Sequence, residues 1–324
     1  MKKIALLGAA HIHTPGFMKR FAQRETIILS HVWDHDRTRR ARWAREMKAN
    51  AIATPAEALS DPDVAAVIVC SETVHHEALV VAAAEAGKAI FAEKPLGMAA
   101  GDARRMADAV ERHRVVFQTG YFQRGLPAHQ FIAARIADGS LGTITRARVS
   151  NCHAGASLGW FDTEWRWMAD PAQAGVGAFG DMGAHALDLL MWWLGPVAAA
   201  SSALGIAMDR YGCDEYGEGL LRFRSGAVAT LAAGWVDVAN PVTALVSGTR
   251  GHITVSEGKV WLKREGDDAA QEAALPAPQP AGFDLFLDWL EGKADTAGFV
   301  SARACAERNA AMDMLYQNPL PRAA

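Results

Sequence analysis

Three ionisable side chains near the middle of the chain are spaced so that they could act together on a proton. Asp181, His185 and Asp188 stand at i, i+4 and i+7, so a helix over residues 180–194 places them on one face. An aspartate near a helix start suits the helix dipole and can hold an imidazole in position. The alternative is a capping aspartate with a histidine satisfied in the core.

A lysine follows a short apolar run in the first half of the chain. Lys94 lies between Glu93 and Pro95, directly after the predicted strand 89–92. Ligands of parallel sheets bind at the carboxyl ends of strands, and Pro95 restricts the backbone before it to extended geometry. We therefore expect the Lys94 ammonium at a ligand-binding edge. A surface lysine before a proline is the alternative.

The stretch "GAAHIHTPG", residues 8–16, follows the first apolar run and supports two different sites. A strand, a glycine and a helix in this order predict a dinucleotide-binding turn, although Ala10 and His13 replace its second and third glycines. His11-x-His13 is also how a metal-dependent hydrolase barrel begins its metal site. Such a barrel needs later ligands and a repeated strand–helix rhythm that the second half lacks. We expect a cofactor and no metal.

The two halves of the sequence have different patterns of predicted strands and helices, and these elements must position the residues described above. Up to residue 121, near-continuous apolar strands alternate with helical segments, which predicts a parallel sheet covered on both faces. The predicted strands are 3–7, 27–33, 64–70, 89–92 and 115–118, with helices such as 75–86 and 99–113. This pattern predicts an α/β Rossmann dinucleotide-binding domain over residues 1–121.

The second half predicts an α+β domain over residues 122–324 with an open, largely antiparallel sheet, for substrate binding and oligomerisation. Longer alternating runs are separated by turn signals such as Arg224-Ser225-Gly226. The predicted strands are 143–149, 217–223, 227–236, 242–246 and 260–263, and the predicted helices are 180–194, 283–291 and 301–316. We expect the last two helices to pack near the domain interface.

Composition excludes several classes of protein. The 324 residues carry a net charge of −3 with mixed signs, which provides no basic field for nucleic acid. No stretch approaches the roughly 18 apolar residues of a membrane span, so no membrane partner is expected. The four cysteines are scattered without a Cys-x-x-Cys pair, which favours reduced thiols and a cytoplasmic location.

Taken in order along the chain, these motifs resemble one family. Glu93-Lys94-Pro95 followed by Asp181-x-Gly183-x-His185-x-x-Asp188, after a βαβ half, is similar to the glucose–fructose oxidoreductase/inositol dehydrogenase (Gfo/Idh/MocA) family. That family consists of NAD(P)-dependent oxidoreductases that act mainly on sugars and polyols, and the resemblance covers essentially the whole chain. The departures are His13 and Ser71-Glu72-Thr73, which replaces the usual Thr-Pro-Asn.

The resemblance implies a catalytic set and its roles. His185 is the base that removes a hydroxyl proton, Lys94 stabilises the developing alkoxide, and Asp181 orients or tunes the pair. The three side chains are then expected to converge on one substrate hydroxyl at the nicotinamide. The implied activity is hydride transfer between the cofactor and a secondary alcohol or ketone of a sugar, glycoside or polyol.

The cofactor is expected to be NAD, with NADP possible. Asp34 ends the second strand where an acid binds ribose hydroxyls, and Asp36 adds negative charge that a 2′-phosphate would oppose. Arg37, Arg39 and Arg40 keep NADP possible. The residues expected to bind the cofactor are Gly8, Ala9, Ala10, His11, Ile12, His13, Asp34, Ser71, Thr73, His76, Glu93 and Lys94.

The substrate pocket is expected around tryptophans and charged residues of the second half of the sequence. The expected substrate-binding residues are Arg124, Trp160, Asp162, Trp165, Arg166, Asp181 and His185. Tryptophans suit stacking on a sugar ring, and they suit core packing almost as well. A redox-neutral enzyme that cleaves glycosides or epimerises sugars with tightly bound NAD, and a non-catalytic binding protein, are the alternatives. An open sheet needs a cover, which favours a homodimer or homotetramer.

Overall fold

The structure is a computed structural model that describes residues 1–320, and the chain divides into two compact units. Among the described residues, the first unit contains 1–121, 164–175 and 280–309, and the second contains 122–163, 176–279 and 310–320. The first unit therefore takes two segments from beyond residue 121.

The first unit contains a six-stranded parallel sheet in the order β3-β2-β1-β4-β5-β6. Its strands are β1 (Lys2–Ala9), β2 (Ile27–Trp33), β3 (Asn50–Ala51), β4 (Val64–Cys70), β5 (Ala89–Ala92) and β6 (Phe117–Thr119). Strands β1, β4 and β5 are buried almost throughout, as expected for parallel strands covered on both faces. The strand order reverses between β1 and β4, which is where ligands of such sheets bind.

Helices connect and cover the strands of both units. In chain order they are α1 (Thr14–Phe21), α2 (Arg37–Glu46), α3 (Pro55–Leu59), α4 (His76–Glu85), α5 (Ala100–His113), α6 (Pro127–Ala137), α7 (Pro171–Ala174), α8 (Ala178–Leu194), α9 (Phe283–Leu290) and α10 (Ala302–Gln317). Aromatic packing fixes α9 to the first unit, because the Phe17 and Phe283 rings stack 4.4 Å apart and Phe286 lies 5.8 Å from Phe91. Among residues 1–320, no helix has both the length and the apolar character needed to cross a membrane.

The second unit contains an eight-stranded sheet in the order β14-β13-β12-β11-β7-β10-β9-β8. The strands are β7 (Ile144–Cys152), β8 (Val197–Gly205), β9 (Tyr216–Phe223), β10 (Val228–Gly234), β11 (Val242–Gly248), β12 (Gly251–Ser256), β13 (Lys259–Arg264) and β14 (Gln271–Glu272). Strand β10 runs parallel to β7, and the other recorded pairs are antiparallel. The predicted open, largely antiparallel sheet is confirmed.

One face of this sheet is buried under α8, and the other is exposed. Burial alternates residue by residue along β9, and Leu221 from β9 joins Leu187 and Leu190 of α8 in the core. Both strand β8 and helix α6 are absent from the sequence prediction. The alanines and serines of β8 are weak strand formers, so its pairing with β9 determines its conformation.

Candidate active site

Gly8, near the end of β1, has the positive φ expected at the first glycine of a dinucleotide-binding turn. Gly8 has φ of +83°, and a Cβ there would lie 2.4 Å from the Cβ of Ser71, so no other residue fits without displacement. The chain then passes Ala9 and Ala10, both buried, and enters α1. The Trp167 indole donates to the Ala10 carbonyl at 3.1 Å and covers this turn, a role that the sequence did not reveal.

The two histidines of the turn lie against the carboxylate that follows β5. His13 Nδ1 is 3.1 Å from Glu93 Oε1, and the His13 amide donates to His11 Nδ1 at 3.2 Å. The His11 and His13 ring centroids are 4.7 Å apart. Burial alone would raise the pKa of Glu93, but the charges of His11 and His13 and the hydrogen bond from His13 outweigh it and lower that pKa. Glu93 is therefore an ionised carboxylate in the interior.

These three residues also form a possible metal-ligand set, because their ligand atoms lie within 4.8 Å of one another. Each ligand already has a hydrogen bond within the protein. Glu93 Oε2 accepts the Lys94 amide at 2.8 Å, and Glu93 Oε1 and both histidines are engaged as described above. These hydrogen bonds hold the three side chains against one another.

Lys94 lies where the sequence predicts it, directly after β5 at the carboxyl edge of the sheet. Its side chain is buried, and the peptide bond between Lys94 and Pro95 is cis. The neighbouring Glu93 needs space that only a glycine leaves, because a Cβ on Gly120 would lie 2.5 Å from Glu93 Oε2. An ammonium in a buried position beside an ionised carboxylate is suited to stabilising negative charge on a substrate oxygen.

Asp34 lies at the end of β2 and is completely buried. Its carboxylate forms a bidentate ion pair with Arg39 of α2, at 2.7 Å to Nε and 2.8 Å to Nη2. Arg39 Nη2 also donates to Glu72 Oε1 at 2.8 Å, which links α2 to the loop after β4. Asp36 caps α2 by accepting the amides of Thr38 and Arg39.

The remaining predicted cofactor residues follow β4, apart from Ile12, which is half-buried in the first turn. Ser71 and Thr73 are buried, and Ser71 Oγ donates to the Glu72 carbonyl at 3.1 Å. His76 is fully buried, with Nδ1 3.1 Å from the Leu96 carbonyl and Nε2 3.3 Å from the Ser71 carbonyl. Burial lowers the pKa of His76 despite these carbonyls. His76 thus joins the loops after β4 and β5.

In the second unit, α8 carries the predicted acid–base pair. Asp181 and His185 are both buried, and their spacing of four residues puts them on one face of the helix. Trp235 Nε1 donates to Asp181 Oδ2 at 3.2 Å, which orients the carboxylate. The His185 ring packs edge-on against Phe122, with centroids 5.2 Å apart.

The N-terminus of α8 is fixed by two residues to which the sequence prediction gave no role. Asp214 Oδ2 accepts the Phe179 amide at 2.7 Å, and the Tyr316 hydroxyl accepts the Gly180 amide at 3.0 Å while donating to Asp214 Oδ1. These bonds satisfy helix amides that otherwise have no partner. Burial raises the pKa of Asp214, and it raises the pKa of Tyr316 well above the ordinary value of a tyrosine. The first turn of α8, which carries Asp181, is therefore held in place.

The predicted substrate residues have varied surroundings. Arg124 forms a bidentate ion pair with Asp188, at 2.8 Å and 2.6 Å, so the third polar residue of the α8 face is used structurally. Asp162 is hydrogen-bonded by Arg210 and by the Tyr211 hydroxyl. Trp160 is 39 % exposed, with its ring 4.7 Å from that of His153.

Trp165 and Arg166 belong to the first unit, in the segment 164–175, whereas Arg124, Trp160 and Asp162 belong to the second. Arg166 Nη1 lies 3.4 Å from the Ala169 carbonyl within its own turn. A groove of about 490 Å³ on the second unit is lined by other residues, including Arg148 and Tyr216 of the sheet and Asp237 of the loop after β10.

Both halves of the chain match domain models of the same protein family. Residues 2–121 match the model described as "Oxidoreductase family, NAD-binding Rossmann fold" of the GFO/IDH/MocA family. Residues 129–254 match the model described as "GFO/IDH/MocA C-terminal domain". The two matched ranges follow one another as the two domains of one family and together cover well over half of the chain.

Two curated relatives illustrate the range of the family. The chain is 32% identical over 176 residues to 1,5-anhydro-D-fructose reductase of Ensifer adhaerens, which covers 53% of this chain and 51% of the relative. It is 28% identical over 241 residues to scyllo-inositol 2-dehydrogenase (NAD(+)) of Bacillus subtilis, which covers 72% of this chain and 65% of the relative. The chain thus matches between about half and two thirds of the length of these relatives.

Among solved structures, aldose-aldose oxidoreductase from Caulobacter crescentus complexed with glycerol has the same fold. The TM-score is 0.80 at 22% sequence identity, and the match covers 97% of this chain and 96% of the other. The family resemblance and the fold predicted from the sequence are therefore confirmed. The chain belongs to the Gfo/Idh/MocA family of NAD-binding oxidoreductases.

Proposed function

We propose that this protein is an NAD-dependent oxidoreductase that acts on a secondary hydroxyl or ketone of a sugar, glycoside or polyol. Family membership supports the reaction class, and the relatives named for an anhydro sugar and for an inositol support the substrate class. The observation that carries the proposal is that the chain holds both a buried Lys94 at the β5 end of the first unit and Asp181 with His185 on one face of α8 in the second unit.

The residues around the first turn fit a dinucleotide. Gly8 gives the tight turn, Ala10 adds only one methyl group, and the backbone enters α1, whose N-terminus favours an anion. Gly8 to His13 would hold the pyrophosphate, and Glu93 and Lys94 would face the nicotinamide end. When bound, the nicotinamide supplies hydride-transfer chemistry that side chains lack.

The chain's own residues would then handle the proton and the charge on oxygen. His185, as a neutral imidazole, accepts the hydroxyl proton during oxidation and returns it during reduction. Asp181, held by Trp235, positions or tunes that imidazole. The Lys94 ammonium stabilises the negative charge that develops on the substrate oxygen.

We also propose that the exposed face of the second sheet is covered by a second copy of the chain. Leu220 is 52 % exposed and Val228 is 38 % exposed on neighbouring strands β9 and β10. Exposed apolar side chains on one face of a sheet, here beside Thr230 and Arg222, favour association. A dimer or tetramer closed through this face is the expected assembly.

A panel of sugars and cyclitols tests the activity, with NAD and NADP supplied separately and the absorbance band of reduced nicotinamide followed. The proposal predicts stoichiometric NAD reduction with at least one polyol or sugar. Product formation without net reduction of added NAD would instead identify the redox-neutral alternative. Cofactor binding without turnover of any panel member would favour a binding protein.

A further inference from the structure

The acceptor positions of Asp34 are all used by the protein itself. Oδ2 accepts the Ala9 amide at 2.8 Å and Arg39 Nε at 2.7 Å. Oδ1 accepts the Asp36 amide and Arg39 Nη2, both at 2.8 Å. An ionised carboxylate offers about four acceptor sites, so none is left in Asp34 for the ribose hydroxyls that an acid here is expected to bind.

Arg39 is therefore the charged side chain through which the end of β2 would meet a ligand. A second carboxylate, that of Glu72, also binds it. Arg39 Nη2 lies 2.8 Å from Glu72 Oε1, and the two side chains are only 11 % and 5 % exposed. Burial opposes the charge on Arg39, but Asp34 and Glu72 outweigh it and raise the pKa of Arg39. The guanidinium is thus fixed between two carboxylates.

Within the hydrogen-bonded cluster of Asp34, Asp36, Arg39 and Glu72, carboxylates outnumber the one arginine. His35 Nε2 also lies 3.0 Å from Glu72 Oε1. Asp34 and Glu72 contribute two negative charges against the one positive charge of Arg39, and Asp36 adds a third negative charge at the α2 N-cap. Arg40 donates to the Ile52 carbonyl at 3.1 Å. A phosphate is bound by arginines whose donors are available to it, and here Arg39 has already committed its Nε and Nη2 donors.

We infer that Glu72 selects the cofactor by holding Arg39 and by keeping this site negative, so that the site accepts a 2′-hydroxyl and rejects a 2′-phosphate. Glu72 occupies a position where the family resemblance leads us to expect proline, so this device belongs to this chain. The inference rests on the proposed function, because it concerns the same cofactor. Asp34 is then a positioning residue that holds Arg39.

Calorimetric titration of NAD and NADP into the intact protein measures this selectivity without any turnover. Glu72→Gln removes one negative charge, and the neutral amide oxygen accepts the Nη2 hydrogen bond more weakly than a carboxylate does. We expect the ratio of the NADP Kd to the NAD Kd to fall roughly 10- to 100-fold, as for a gained charge-assisted hydrogen bond. Glu72→Asp keeps the charge and should retain most of the wild-type preference.

The matched control is Glu77→Gln, which removes a carboxylate from the exposed pair that Glu77 forms with Arg105. In Glu77→Gln the ratio of the NADP Kd to the NAD Kd should stay at the wild-type value. Thermal unfolding of each variant reports whether it folds. An unchanged ratio in Glu72→Gln, or a wild-type preference for NADP, would overturn the inference while leaving an oxidoreductase intact. Failure of the wild type to bind either nucleotide would overturn the proposed function and this inference with it.

Discussion

Arg124 and Asp188 form a two-bond ion pair at 2.8 Å and 2.6 Å in which the carboxylate is almost fully buried, with 1 % of its side chain exposed. Asp188 lies on the same face of α8 as His185. Because the guanidinium engages both oxygens of Asp188, this pair holds one end of the α8 face that we propose to be catalytic.

Removing the arginine from this pair should cost much more stability than removing a surface cation. Arg124→Ala leaves a buried carboxylate without its main partner, and such changes cost about 3–5 kcal/mol in the free energy of unfolding. Lys259→Ala, which breaks the exposed pair with Glu272, is the control and should cost less than about 1 kcal/mol. Urea unfolding of both variants measures the difference, and equal losses would show that the Arg124 pair contributes no more than a surface bridge.

The ionised Glu93 makes stability depend on pH in the acid range. Burial raises its pKa, but the charges of His11 and His13 lower it below the ordinary value of 4.5. A lowered carboxyl pKa gives stability that is present above pH 4.5 and lost as pH falls below it. Between the two pKa values the unfolded state holds one extra proton, so stability falls by about 1.4 kcal/mol per pH unit.

Glu93→Gln removes this contribution. The difference between wild type and Glu93→Gln in unfolding free energy at pH 5 should shrink as the pH falls below 4.5. Urea unfolding at half-unit intervals of pH measures it. A difference that is the same at pH 3.5 as at pH 5 would mean that the folded-state pKa of Glu93 is not lowered.

The exposed sheet face provides a test of assembly. Leu220→Arg places a further charge on the exposed face of β9, opposite Thr230 of β10, and we expect it to shift the protein to a smaller assembly. Leu158→Arg is the matched control, because Leu158 is 67 % exposed in a loop outside the sheet. Light scattering coupled to size-exclusion chromatography measures the mass, and an unchanged mass for Leu220→Arg would place any interface elsewhere.

Local patterns in the sequence account for much of the fold and for the positions of the main site residues. Strand β4 and the start of α9 match the prediction, because continuous apolar runs and helical spacing are local signals. Lys94 after β5 and the shared face of Asp181 and His185 follow from the same signals. The predicted strand 227–236 is longer than the observed β10, which ends at Gly234.

Contacts between distant side chains could not be predicted in the same way. The Tyr316 hydroxyl reaches the Gly180 amide across 136 residues of sequence, and no local pattern records that contact. The pairing of Arg39 with both Asp34 and Glu72 likewise depends on how α2 and the loop after β4 are placed. These contacts determine which of the polar residues are available to a ligand.

Lys94 and His185 should behave as one catalytic unit. We expect Lys94→Ala to slow turnover sharply, because the developing charge on the substrate oxygen loses its cation. The double variant with His185→Ala should lose less than the sum of the two single effects, expressed as free energies of activation. Steady-state rates on the substrate identified by the panel measure this, and strictly additive losses would show that the two groups act independently.

The most direct test of the account is the paired measurement of NAD affinity and turnover in His185→Ala. As the base, His185 accepts the substrate proton and need not bind NAD, so the NAD Kd should stay within about twofold while turnover falls by roughly 10²–10⁴-fold. The wild-type oxidation rate should also rise with pH as the imidazole loses its proton, and the variant should lack that rise. Near-normal turnover by His185→Ala, with NAD binding intact, would contradict the assignment of the base and of α8 as the catalytic helix.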